Sequence, residues 1–171
     1  MIKLFLLSIS LTSYWIEPCT NPETQCVAAD PQLARWAFSA WETASKGRLH
    51  FVETKDRAAA QIQVVWATPS SGLYGETVGK VVNIRIAADG IKDPLLRDTI
   101  VYLTCLHESG HALGLPHTSN FDDIMYNFQY GGDIQEYFAR YRRKLGTRED
   151  IKKHDGLSPA DRSRIAADRR F

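Results

Sequence analysis

The chain has 171 residues, 44% of them hydrophobic and 11% aromatic, which is enough apolar material for a packed core and leaves room for one domain rather than two. Its 21 basic and 20 acidic side chains nearly cancel, so the charge excess that draws a protein to a polyanion is missing and nucleic acid is not an expected partner. No apolar run approaches the roughly 20 residues needed to cross a bilayer as a helix, so no transmembrane segment is expected.

Met1, Ile2 and Lys3 precede an apolar run at 4–11, the basic start and short apolar middle of a secretory signal. Ser13 is the best available cleavage point, which assigns 1–13 to the signal and 14–171 to one domain in a secreted or extracytoplasmic protein. The alternative for this stretch is a buried N-terminal strand, and Ser13-Tyr14-Trp15-Ile16 has strand character under either reading. The cysteines are Cys19, Cys26 and Cys105, an odd number that leaves at least one unpaired within the chain. Cys19 and Cys26 enclose six residues in a Pro-rich turn and become a candidate disulfide if the chain is exported, although spacing alone does not fix connectivity. Cys105 lies in an apolar helical stretch and reads as a buried small hydrophobe.

Asp30-Pro31 has the form of an N-cap followed by Pro at the first helical position, and Leu33, Trp36, Ala37, Ala40, Trp41 and Ala44 then keep helical spacing up to Gly47. Short β-rich runs follow at 49–53 and 61–66. A strand or turn bracketed by Gly72, Gly75 and Gly79 comes next, and then alternating Val82, Ile84 and Ile86. A second long helix is predicted from Leu95 to about Leu113, stopped by Gly114 and Pro116. After Gly131-Gly132 the segment 133–145 is helical in period, and Ser158-Pro159-Ala160-Asp161 opens a closing helix with an N-cap, Pro at N1 and an acid at N3. The pattern predicts an open α/β sheet carried by a long helix. Charge is uneven: residues 140–171 carry a net +6 and residues 1–139 a net −5. The run reads first as a solvated helical face, with a basic docking surface as the alternative.

Residues 107–117 spell HExxHxxGxxH. His107 and His111 are one helical turn apart, so both imidazoles leave the same face and can share one Zn²⁺. Gly114 can take a left-handed conformation at the helix end, letting the chain turn so that His117 approaches from another direction. Three neutral imidazoles leave one tetrahedral position open, which is the pattern of a catalytic zinc site. Glu108, next to the first ligand, is the candidate general base. Two His on a helix can also be a satisfied core pair or a structural zinc site. With 5 His, 8 Glu and 11 Gly in the chain, however, composition alone gives the five-position pattern on the order of 10⁻⁵ occurrences. His50 and His154 have no comparable company.

This motif resembles the signature of the metzincin zinc metalloproteases, and the chain is most similar to the matrixins among them. Ile124-Met125-Tyr126, eight residues after His117, resembles the matrixin Met-turn, so Met125 is expected to pack beneath the metal without binding it. Thr118 stands where matrixins carry Ser, and Asn127 stands where astacins and serralysins place a zinc-linked Tyr. The resemblance implies an α/β (α+β) zincin-like catalytic domain: a twisted mixed sheet of about five strands with an edge strand over the cleft, two long helices, a Met-turn and a C-terminal helix. It implies a metalloendopeptidase with one catalytic Zn²⁺, acting on protein or peptide substrates as a monomer. A peptide would bind along an edge near 71–77, touching Leu73, Tyr74 and Gly75, a stretch that a plain turn explains equally well. Tyr126, Asn127 and Phe128 would wall the pocket for the residue after the scissile bond.

Three departures shape the remaining expectations. Neither Cys19 nor Cys26 lies in a cysteine-switch motif, so no thiolate cap is expected. The Asp- and His-rich loop that holds structural zinc and calcium in animal matrixins is missing between Trp66 and Ala87, so calcium is not assured. Residues 129–156 form an insertion between the Met-turn and the last helix, placed to shape or cover one side of the cleft. Two rival functions are a zinc-containing module that binds peptides or a partner without cutting, and a zinc hydrolase of a non-peptide amide.

Overall fold

The computed structural model describes residues 10–70, 74–86, 90–168 and 170. Five strands, β1 Ser10–Ile16, β2 Leu49–Glu53, β3 Ile62–Ala67, β4 Gly75–Val78 and β5 Val81–Arg85, form one sheet in the order β2-β1-β3-β5-β4. The first four positions of that order are mutually parallel, and β4 runs antiparallel to β5 at the edge. The fold is therefore mixed α/β, as the pattern of elements predicts.

Period-2 alternation decides which face is covered. Tyr14 and Ile16, Ile62, Val64 and Trp66, and Val82 and Ile84 are all buried, while their neighbours in each strand are less so. Helix α1, Asp30–Ala44, supplies Phe38, whose ring stacks on Tyr14 at 4.3 Å and meets Phe51 at 5.0 Å. Helix α2, Pro94–Ala112, crosses α1 and reaches the β4 edge. Two further helices, α3 Ile134–Arg142 and α4 Pro159–Ala167, complete the chain. Among the described residues no helix is long and apolar enough to cross a membrane.

Several local expectations need adjustment. The strand begins at Ser10 rather than Ser13, with Ser10 to Ser13 aligned along Leu49 to Val52, so a cut at Ser13 would remove the first part of β1. The rest of the signal stretch, 1–9, lies outside the described residues, as does Leu73. Asp30 is not a cap: it is the first helical residue, and no side-chain cap bond forms. Its fully buried carboxylate instead accepts from the Val27 N–H at 2.9 Å and meets both guanidinium nitrogens of Arg97 at 2.8 Å. A bidentate charged partner holds a carboxylate more strongly than a free backbone amide at a helix start. Cys19 and Cys26 are bridged, and Cys105 is buried within α2, where burial pushes its thiol pKa well up.

The basic tail keeps an exposed face at Arg143, Lys144, Lys152 and Lys153, while other cations of it are paired upstream. Arg142 pairs with Asp93, Arg148 with Asp98, Arg140 with Asp122 and Arg164 with Asp123, so cations of 140–171 meet acids of the negative part of the chain.

Candidate metal centre

Helix α2 opens on Asp93, whose side chain accepts from the Leu95 N–H at 3.0 Å, and runs unbroken to the motif. It ends in a Schellman arrangement: the Gly114 N–H donates to the His111 carbonyl at 2.7 Å and the Leu115 N–H to the Gly110 carbonyl at 2.9 Å, with Gly114 at φ +85°. The reversal delivers His117. Ring centroids of His107 and His111 are 4.8 Å apart, those of His111 and His117 4.5 Å, and those of His107 and His117 5.3 Å. One nitrogen from each imidazole lies within 4.8 Å of the other two, close enough to bind a single metal ion. It is the one such group of three or more His, Cys, Asp or Glu side chains among the described residues. His50 stands apart beside Glu42, and His154 is also outside the group.

The rings are oriented from behind. His107 Nδ1 lies 2.6 Å from the Ile124 carbonyl and His111 Nδ1 2.9 Å from the Leu115 carbonyl. Each Nδ1 must carry the proton to satisfy a carbonyl, which leaves a lone pair on each Nε2, that of His111 lying 3.0 Å from His117 Nε2. Burial lowers the His107 pKa to about 4, with the neighbouring His111 and His117 adding to the effect and the Ile124 carbonyl opposing it. Burial and His111 also lower that of His117. Neutral imidazoles at ordinary pH are what a cation needs.

Glu108 points from α2 toward β4. Burial raises its carboxyl pKa to about 7, with a hydrogen bond from Thr77 opposing the shift. The Thr77 hydroxyl lies 2.7 Å from Glu108 Oε2 and 2.9 Å from the Glu108 carbonyl oxygen. Gly75 is small for a reason, since a Cβ there would sit 2.6 Å from Glu108 Cγ and 2.8 Å from Oε1. Gly110 has a similar role on the other side of α2. A Cβ would lie 2.5 Å from Met125 Sδ and 3.0 Å from Trp41 Cζ2, so both side chains press directly on the helix backbone. Met125 is fully buried there, and the Trp41 indole N–H reaches the Leu106 carbonyl at 3.0 Å.

The segment after His117 is irregular but tied down. The Thr118 N–H donates to the Met125 carbonyl at 2.8 Å, and the Asn127 N–H donates to the Thr118 carbonyl at 3.0 Å. Below it, fully buried Asp161 accepts from the Ile124 N–H at 2.8 Å and from the Ser158 N–H at 3.0 Å. Fully buried Asp123 takes Arg164 Nη2 at 2.6 Å and the Ser158 hydroxyl at 2.7 Å, while the Tyr137 hydroxyl donates to the Asp123 carbonyl at 2.9 Å. The capping box at Ser158 and Asp161 is visible in the sequence, but the second duty of Asp161 toward Ile124 is not. Asp123, Arg164 and Thr77 carry no local signature at all.

A cavity of about 640 Å³ opens beside the three imidazoles and Glu108. Tyr74, Gly75, Tyr126, Asn127 and Phe128, the expected cleft residues within the described chain, all line it. The insertion contributes as well: Ile134, Tyr137 and Phe138 of α3 form part of the wall, and the Phe138 ring meets Tyr74 at 5.2 Å. Comparison with protein-family models found no match, and neither did comparison with curated proteins.

Proposed function

We propose that this protein is a zinc-dependent endopeptidase of the metzincin, matrixin-like kind. The observation that carries the reading is the convergence of three imidazoles beside a buried carboxylate in the wall of a cavity flanked by the β4 edge of the sheet. The donor set fits zinc: three imidazoles with carbonyl-bonded Nδ1 atoms on two of them, their nitrogens gathered within 4.8 Å, and no fourth His, Cys, Asp or Glu ligand in the group among the described residues. When bound, the ion would supply Lewis acidity, polarising a scissile carbonyl and making water a better nucleophile.

The remaining work falls to the chain itself. The outer edge of β4 offers main-chain groups to an extended peptide, which adds as another strand. Glu108 accepts a proton from the attacking water and passes it to the departing amine. No covalent link to the enzyme forms. The cavity walled by Phe128, Tyr137 and Phe138 receives a substrate side chain away from water. Export into an oxidising compartment belongs to the same reading, supported by the Cys19–Cys26 bridge. A monomer is sufficient for the site, since all of these residues come from one chain.

Zinc-loaded protein incubated with a mixture of denatured proteins, with and without a chelator, provides the test. Chelator-sensitive internal cleavage is expected. Glu108→Gln should keep about one zinc per chain while kcat falls by about 10²–10⁴-fold, the usual contribution of a positioned general base. His111→Ala should lose the metal. Undiminished activity in Glu108→Gln refutes the mechanism, and a zinc-loaded wild type that cuts nothing favours a binding module or a hydrolase of another amide.

A further inference from the structure

We propose that Thr77 is a positioning residue for Glu108: its hydroxyl holds one carboxylate oxygen so that the other is presented to the cavity. The inference rests on the reading of Glu108 as the base. Alternation along β4 sets up the contact. Thr77 is aligned with Val82 and Gly75 with Ile84, both on the covered face of the sheet, whereas Glu76 turns the other way to Arg85 and Val78 is 61% exposed. The two covered-face positions of β4 act on the same carboxylate. Gly75 leaves the slot into which Oε1 fits, and Thr77 donates to Oε2 at 2.7 Å.

The hydroxyl has one proton and two acceptors within reach. The carboxylate contact is the shorter of the two, 2.7 Å against 2.9 Å, so the carboxylate takes the proton and the carbonyl contact is secondary. Among the described residues no other donor reaches the Glu108 carboxylate, which leaves Oε1 to receive a proton from a water in the cavity. Glu side chains have three free torsions, and an unlatched carboxylate in this slot would spend much of its time out of line with the attacking water. The arrangement also couples two jobs. The strand whose outer edge aligns the peptide is the strand whose inner face aligns the base, so the register of the bound substrate fixes the scissile carbonyl relative to Oε1.

The test compares zinc-loaded wild type, Thr77→Val, Thr77→Ala and Thr77→Ser on one cleavable peptide, with kcat and KM measured separately alongside zinc content and thermal midpoint. Thr77→Val keeps the shape and β preference of threonine. It should lower kcat about 10–100-fold at unchanged KM and one zinc per chain, an effect of the size that a small misplacement of a reacting group produces. Thr77→Ala should behave alike, and Thr77→Ser, which retains the hydroxyl, should recover most of the rate. In a Glu108→Gln background, Thr77→Val should cost nothing further, because the two residues act as one unit. A wild-type kcat in Thr77→Val and Thr77→Ala, an equal loss in the Gln background, or a loss explained by missing zinc or a raised KM overturns the assignment of Thr77 alone. A wild type that cuts nothing, or an undiminished Glu108→Gln, overturns the protease reading and this inference with it.

Discussion

The two sides of the metal centre are built on different principles. His107, Glu108 and His111 sit on α2, where helical geometry alone fixes their spacing and Asp93 and Gly114 define the two ends. His117, Met125 and the cavity wall at Tyr126 to Phe128 sit on irregular chain whose own pairing is a single bridge between Thr118 and Tyr126. That chain takes its shape from Asp123 and Asp161, two fully buried carboxylates bonded to α4 and its cap. The comparison teaches that a ligand on a helix needs only its neighbours in sequence, whereas a ligand on a loop borrows rigidity from elements 35 to 41 residues away.

The strongest challenge to this contrast is Asp161→Ala. It leaves the Ile124 and Ser158 amides without their acceptor in a dry interior, while Arg164 keeps Asp123, and should destabilise the protein by about 2–6 kcal/mol. Denaturant midpoints measure the loss, and zinc affinity should fall with it while the helical content of α2 persists. If zinc binding is unchanged in the folded variant, the loop does not depend on α4. A smaller effect is expected on the helix side from Gly110→Ala. Alanine is the better helix former by about 1 kcal/mol, yet its Cβ meets Met125 and Trp41, and overpacking of that kind costs about 1–3 kcal/mol. A variant more stable than wild type in urea would show that Met125 yields freely and is no fixed floor.

The smallest effect concerns pH. His107 is held neutral, with its pKa lowered to about 4 from an unfolded value near 6.5, so the stability it contributes is complete above about 6.5 and lost as pH falls toward 4. Glu108 works in the opposite sense. Its pKa, raised to about 7, favours the protonated fold and returns stability as pH falls from about 7 toward its unfolded value near 4.3. The two nearly offset each other in metal-free wild type. In metal-free Glu108→Gln the opposing carboxyl contribution is removed, so urea midpoints between pH 6.5 and 4 should fall more steeply than in wild type. Equal slopes would contradict the burial assigned to Glu108.

What could be read in advance follows the same division. The one-turn spacing of His107 and His111, the left-handed Gly114 and the return of His117 are local patterns of spacing, and the structure brings the three imidazoles together. The strands and helices were legible because alternation and 3.6-residue periodicity survive in short windows. Asp30 misled because an acid before Pro looks like a cap, and only the fold brings Arg97 within 2.8 Å of it. Asp123, Arg164 and Thr77 were invisible for the same reason: their partners lie 31 to 41 residues away in the chain, and no motif encodes such a distance. Part of the basic tail looked like surface until its acidic partners appeared upstream.

The paired main-chain bonds of Thr118 with Met125 and Asn127 have one more implication. They close residues 118 to 127 into one small loop whose rungs are the Thr118 bonds to Met125 and Asn127, with His117 directly before it and Tyr126 within it. Any distortion that enters through one rung is shared by the others. Widening or narrowing the pocket at Tyr126 or Phe128 should therefore also shift His117 relative to the other two imidazoles, and the two properties cannot be selected independently.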